Sequence, residues 1–156
     1  MAGAIGEDGG PGDPLPFAGA VYVFERDLGG SGNWGEAAII HPDNAQPFDG
    51  FGRSVAIHGD SLVAGVIQWN LWIPGKAYAF ERDLGGPGNW GEAAVLFAGG
   101  YQPKDGFGFA VATAGETLVV GAPSLHGGPG GLWLYTGAAY IYQKVDCCNY
   151  LPVIMR

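Results

Sequence analysis

A long internal repeat constrains this chain more than any other feature. Gly19-Ala-Val-Tyr-Val-Phe-Glu-Arg-Asp-Leu-Gly-Gly30 returns as Gly75-Lys-Ala-Tyr-Ala-Phe-Glu-Arg-Asp-Leu-Gly-Gly86. Asn33-Trp-Gly-Glu-Ala-Ala38 returns at 89–94, Asp49-Gly-Phe-Gly52 at 105–108, and Gly59-Asp-Ser-Leu-Val-Ala-Gly65 as Gly115-Glu-Thr-Leu-Val-Val-Gly121. The offset is 56 residues throughout. A third copy of the first block, Gly137-Ala-Ala-Tyr-Ile-Tyr142, arrives 62 residues after Gly75. Its six extra residues fall in the 123–136 loop, and the 4–18 loop has the same longer form. A period of this size marks a repeat architecture in which neighbouring units complete one another's core.

The repeat is rich in turn formers: the 156 residues include 30 Gly and 11 Pro. That excludes a helical bundle. A chain with 47% hydrophobic and 13% aromatic residues is also too apolar to stay a solvated coil. Short strands joined by tight turns satisfy both constraints. One period predicts four strands, over 52–57, 62–66, 76–81 and 92–97. Gly-Asp or Gly-Glu supplies the hairpin turn between the first two.

Strand three carries Tyr78 and Phe80 on one face and Ala77 and Ala79 on the other. The third copy sets Tyr140 and Tyr142 against Ala139 and Ile141. A sheet with one solvated face alternates apolar with polar residues; here both faces are apolar. Sheets stacked face to face around an axis fit that pattern. The expected fold is all-β, a partial, open β-propeller of four-stranded antiparallel blades. It comprises about two and a half blades: a partial blade over 2–40, a full blade over 51–97 and a partial blade over 107–143. The first partial blade is expected to lack strand one, and the last to lack strand four. Residues 144–156 abandon the repeat and read as a tail outside the 1–143 propeller segment.

The residues that recur resemble the FG-GAP repeat, the blade unit of the integrin alpha-subunit head and of many bacterial surface proteins. Phe51-Gly52 and Phe107-Gly108 match the "FG" element, and Gly121-Ala-Pro123 matches "GAP". Gly65-Val-Ile67 and Gly3-Ala-Ile5 are degenerate copies. The resemblance implies a non-catalytic binding or adhesion module with an extracellular or cell-surface location. It implies a protein or carbohydrate ligand held by loops between strands. Calcium-binding members resemble D-x-D-x-D-G between strands one and two. The corresponding turns here, 57–61 and 113–117, offer only Asp60 and Glu116. Calcium takes six to eight oxygen ligands, about the opposite of such a turn, so no cofactor is expected. Closed rings of this type resemble six or seven blades, which one such chain cannot complete. The lost pattern after Tyr142, with no signal peptide at Met1, points to a piece of a longer chain. The rival expectation is self-association through the open blade faces.

Seven Lys+Arg against fifteen Asp+Glu give a net charge of -8 with no basic run. That argues against nucleic-acid partners, which require clustered cations. No apolar run approaches the length of a membrane span, so no membrane insertion is expected. Cys147 and Cys148 are adjacent and have no third cysteine to pair with.

Several motifs invite a chemical reading. Gly30-Ser-Gly-Asn-Trp-Gly35 and its copy at 86–91 satisfy G-x-G-x-x-G, but a strand follows each, not the helix that a dinucleotide site needs. His41, His58 and His126 are scattered, without zinc spacing. Asp49 and Asp105 are repeat equivalents, each expected to brace a turn in its own blade rather than to form a glycosidase pair. Glu25-Arg-Asp27 and Glu81-Arg-Asp83 read as local ion pairs, and Trp34 and Trp90 as anchors of the Gly-rich loops. An enzyme, in the form of a carbohydrate-active fragment, is the least favoured alternative. Ligand contacts are instead expected where the copies differ. The loops between strands two and three carry Trp69 and Trp72 in one copy, and Trp133 and Tyr135 in the next. The loops at 41–48 and 98–104 join them on the same edge. Loops on a rigid scaffold are the usual place for binding.

Overall fold

The computed structural model describes residues 1–8, 15–66, 74–98, 105–123, 137–146 and 149–153. Those residues form three antiparallel sheets and no helix. The first sheet has the order β1 (Ala2–Ala4), β2 (Ala20–Arg26), β3 (Trp34–Ile40). The second runs β4 (Phe51–His58), β5 (Ser61–Val66), β6 (Ala77–Arg82), β7 (Trp90–Leu96). The third comprises β8 (Ala110–Ala114), β9 (Thr117–Ala122), β10 (Ala138–Asp146) and β11 (Asn149–Val153). Every strand pairs with its sequence neighbour, as successive hairpins require. This is an open, partial β-propeller.

One expectation is corrected. The third sheet has four strands, because β11 pairs with β10 from Ile141↔Val153 to Asp146↔Asn149. The sequence of β11 shares nothing with Glu92–Phe97 and contains Pro152. A sheet-edge position accepts such a sequence, since an outermost strand needs hydrogen bonds on one side only. Tyr150 supplies its inward anchor and is 9% exposed.

The core lies between sheets, not within one. Val21, Val23 and Ile40 of the first sheet pack against Phe51, Tyr78 and Phe80 of the second. Val63, Ala77 and Ala79, on the other face of the second sheet, pack against Phe107, Leu118 and Tyr142 of the third. Each junction thus sets the small face of one sheet against the aromatic face of the next. Phe51 meets Tyr78 and Phe80 edge-on, with ring centroids 5.7 and 5.8 Å apart, a favoured aromatic geometry.

Glycine permits this stacking. A Cβ at Gly65 would overlap the carbonyl oxygen of Gly108, and one at Gly3 would overlap that of Gly52. Gly52 and Gly108 themselves hold φ of +87° and +86°. The "FG" glycine and the strand-two glycine therefore meet backbone to backbone across each junction. Ser54 Oγ ties the second junction further by donating to Gly108 O at 2.8 Å.

These contacts give equivalent glycines opposite sensitivities. Gly65→Ala drives a methyl group into backbone and is expected to destabilise the fold by about 3 kcal/mol or more. At Gly121, the same position in the third sheet, an added Cβ meets Ala110 at an ordinary 3.6 Å. Gly121→Ala is expected to change stability by less than about 1 kcal/mol. Urea denaturation of both variants checks the contrast; equal losses would contradict it.

Candidate binding surface

Antiparallel alternation puts the β1–β2 and β3–β4 loops at the same edge of the stack. There Phe17 and Phe48 stack with centroids 5.8 Å apart and planes 14° from parallel. Both have left-handed backbones, φ +56° and +65°. Bulky residues avoid that region, so the surrounding bonds must impose it. Phe17 N donates to Asp8 Oδ1 at 2.7 Å, and Phe48 N donates to Pro16 O at 2.8 Å. Gly50 N and Phe51 N then donate to Phe17 O and Ala18 O, lacing the two loops together. The two rings nonetheless remain 49% and 52% exposed.

A partly buried polar network supports the 41–50 loop from below. Tyr78 Oη donates to Asn44 Oδ1 at 2.7 Å. Lys76 Nζ donates to Asp49 Oδ2 at 2.9 Å, and Gln46 N donates to the same oxygen at 3.2 Å. The Lys76 ammonium lies 5.3 Å from the centroid of the Tyr78 ring. Burial alone would lower the Lys76 pKa, but its bonds to Tyr78 and Asp49 outweigh that and hold it above the usual value. Burial raises Tyr78, against the opposing pull of the Lys76 charge.

Asp105 is the counterpart of Asp49 and lacks this arrangement. It is fully buried, and its Oδ1 accepts from Phe107 N at 2.9 Å and from Gly75 N at 3.4 Å. Its Oδ2 has no hydrogen-bond partner among the described residues. The repeat position of Lys76 is occupied here by Ala138.

The opposite edge is occupied by structural ion pairs. Arg82 bonds Glu25 across the first junction, and Lys144 Nζ lies 2.7 Å from Glu81 Oε2 across the second. Glu25 and Glu81 are repeat equivalents, as are Arg82 and Lys144, so one pairing rule recurs between sheets. The local ion pair expected within Glu-Arg-Asp is corrected accordingly. Arg82 Nε also lies 3.5 Å from Asp60 Oδ1 of its own sheet. Buried Glu81 further accepts from Ser61 Oγ at 2.9 Å and from Tyr150 Oη. Burial and the Glu81 contact push the Tyr150 phenol well above its usual value. Burial pushes Tyr142 up to about 12. The aspartates of the motif build turns: Asp27 and Asp83, both left-handed, accept from Gly32 N and Gly88 N at 2.6 Å.

Trp90 is half-buried, joins the first inter-sheet cluster and lies 5.4 Å under the Arg82 guanidinium. Trp34 is 67% exposed, which corrects its reading as a packed anchor. Trp90 packs against a cluster shared by the first and second sheets, whereas Trp34 joins no such cluster among the described residues. Trp69, Trp72, Trp133 and Tyr135 lie outside the described residues, as do Cys147 and Cys148. Phe17 and Phe48 carry no signal in the repeat; only the place of Phe48 in the variable 41–48 loop pointed toward it.

Asp60, in the turn where calcium-binding members carry their acidic loop, lies 3.5 Å from Arg82 Nε. Among the described residues no three His, Cys, Asp or Glu side chains gather closely enough to hold a metal ion. His41 and His58 are both exposed.

A family model described as the FG-GAP repeat matches residues 34–80 and again 90–142, more than half of the chain. No curated protein matches the chain significantly. Each match begins on an outermost strand, β3 or β7, and continues through three strands of the next sheet. The repeating sequence unit therefore contains both sides of a sheet junction.

Ala138→Lys is expected to supply the cationic partner that Asp105 Oδ2 lacks among the described residues. A charge-assisted hydrogen bond of this kind is worth about 1.5–3 kcal/mol before the cost of ordering the side chain. Thermal unfolding of the variant should shift upward, and Asp105→Asn in the same background should remove the gain. A lower midpoint for Ala138→Lys would contradict the equivalence.

Proposed function

The chain belongs to the FG-GAP repeat family, and from that premise we propose that it is a non-catalytic binding or adhesion module of an extracellular or cell-surface propeller. FG-GAP repeats form a β-propeller-type module that is generally non-enzymatic. The observation that carries the reading is the Phe17–Phe48 pair. Two aromatic rings are held by strained backbone, laced loop to loop, and left half in water. Packing alone favours burying such rings; half-exposed, each forgoes about half of the 1.5–3 kcal/mol that full burial of such a side chain brings. Backbone strain combined with exposure is the signature of a surface shaped for a partner.

The ligand is a protein or a carbohydrate, met by aromatic side chains on the loop edge. Trp69, Trp72, Trp133 and Tyr135 extend the same surface in this proposal, because their loops connect strands two and three as the Phe17 loop does. Rigid aromatic side chains contribute large contact area at low entropic cost, which suits them as anchors.

The test uses an array of immobilised glycans and matrix glycoproteins, probed with the full chain. Binding is expected, and the Phe17→Ala/Phe48→Gly double variant should lose it by at least about tenfold, the equivalent of 1.4 kcal/mol. Glycine at position 48 relieves a left-handed penalty of about 1–2 kcal/mol, so the variant should stay folded. Unchanged binding by the double variant, with or without Trp69→Ala and Trp72→Ala, would overturn the reading.

A further inference from the structure

The polar arrangement beneath the 41–50 loop returns at the second junction with one member changed. Asp49, Lys76 and Tyr78 correspond to Asp105, Ala138 and Tyr140. At the first junction the Lys76 ammonium lies 2.9 Å from Asp49 Oδ2 and 5.3 Å from the centroid of the Tyr78 ring. One carboxylate oxygen and one aromatic ring thus define where an ammonium group rests. The second junction keeps both. Asp105 Oδ1 is fixed by Phe107 N and Gly75 N, and the Tyr140 ring stands 5.3 Å from that of Phe107. Burial, and after it the charge of Asp105, raises the Tyr140 phenol above its usual value, so the two groups are within electrostatic reach. Ala138 brings no ammonium. Asp105 is fully buried, and its Oδ2 has no hydrogen-bond partner among the described residues.

We propose that Asp105 and Tyr140 form a recess for an ammonium group brought by a ligand, a lysine side chain of a protein partner, seated as Lys76 seats its own at the first junction. The proposal rests on the reading of the loop edge as a ligand surface, and of the two ligand classes it selects protein. A buried carboxylate oxygen that has given up water without gaining a donor carries the full cost of its lost hydration. An incoming ammonium removes that cost, whereas a neutral or anionic group does not.

Shape and charge agree with a lysine. Tyr78 is fully buried, but Tyr140 and the neighbouring Ala138 are only partly so, which leaves one side of the ring open to solvent. A slender stem of four methylenes can lie along such a ring while its charged tip reaches the carboxylate. The net charge of -8 favours the approach of cationic partners over anionic ones. Lys76 shows that this fold accepts an ammonium between an aspartate and a tyrosine at the equivalent place.

Nuclear magnetic resonance titration of the full chain with the tripeptide acetyl-Gly-Lys-Gly-amide, in about 0.15 M salt to screen diffuse attraction, tests this. Saturable shifts of the Ala138 methyl and Tyr140 ring signals are expected, with a Kd of about 1 mM or tighter. The same peptide acetylated on its lysine, which keeps the stem and loses the charge, should not saturate. Ala138→Lys should weaken binding by at least about tenfold, because its own ammonium takes the recess. Asp105→Asn should do the same, and its amide oxygen can still accept from Phe107 N and Gly75 N, so the fold is kept. Absence of saturable shifts, equal binding of the acetylated peptide, or binding retained by both variants would overturn the recess. The tripeptide carries nothing for an aromatic surface to grip. Its failure would therefore leave the Phe17–Phe48 reading standing, to be judged by its own double variant.

Discussion

The fold depends on how closely two sheets can approach. At each junction a strand-two glycine lies against the backbone of the "FG" glycine of the next sheet, with no room for a side chain between them. That contact brings the inner strands together and fixes where the outer strands sit. Only then can large rings from one sheet fill the space above alanines and valines of the other. A methyl group at the glycine would lift the sheets apart and open voids throughout the junction, at a cost that grows with cavity volume.

Everything else elaborates this stacking. Aromatic side chains recur on one face and small ones on the other because each sheet has a neighbour on either side. Charged residues at the ends of β6 and β10 meet carboxylates of the preceding sheet, so electrostatics reinforce the same order of sheets. These pairs are partly buried and bonded further, Glu81 to Ser61 and Tyr150 most of all. They specify register between sheets more than they add stability, since burying charge carries a desolvation cost that offsets the attraction. The loops are relieved of structural duty by this scaffold, and Phe17 and Phe48 can be held in a conformation that packing alone would not select.

The repeat made much of this legible in advance. Identical spacing showed the sheets, and the two-sided apolar pattern of Tyr78, Phe80, Ala77 and Ala79 showed that they stack. Three things were hidden. β11 escaped because an edge strand needs only backbone pairing and one anchor, here Tyr150, which leaves no repeat pattern to read. The Glu-Arg pairs looked local because neighbouring residues in sequence were the obvious partners; their true partners lie one sheet away. Phe17 and Phe48 had no distinguishing pattern, since positive φ in a phenylalanine comes from its loop and not from its own preference. Trp34 shows the reverse error. Its repeat with Trp90 suggested equal packing, but burial belongs to the junction and not to the residue.

Separate sheets meet through their glycines, and proton–proton nuclear Overhauser contacts report on that directly. A Cβ built on Gly52 would lie 3.1 Å from the α-carbon of Gly3 in the neighbouring sheet. A cross-peak between the α-protons of Gly3 and Gly52 is expected, alongside the ordinary ladder contacts within each sheet. Intact ladder contacts without that cross-peak would mean that the sheets form but do not meet through their glycines.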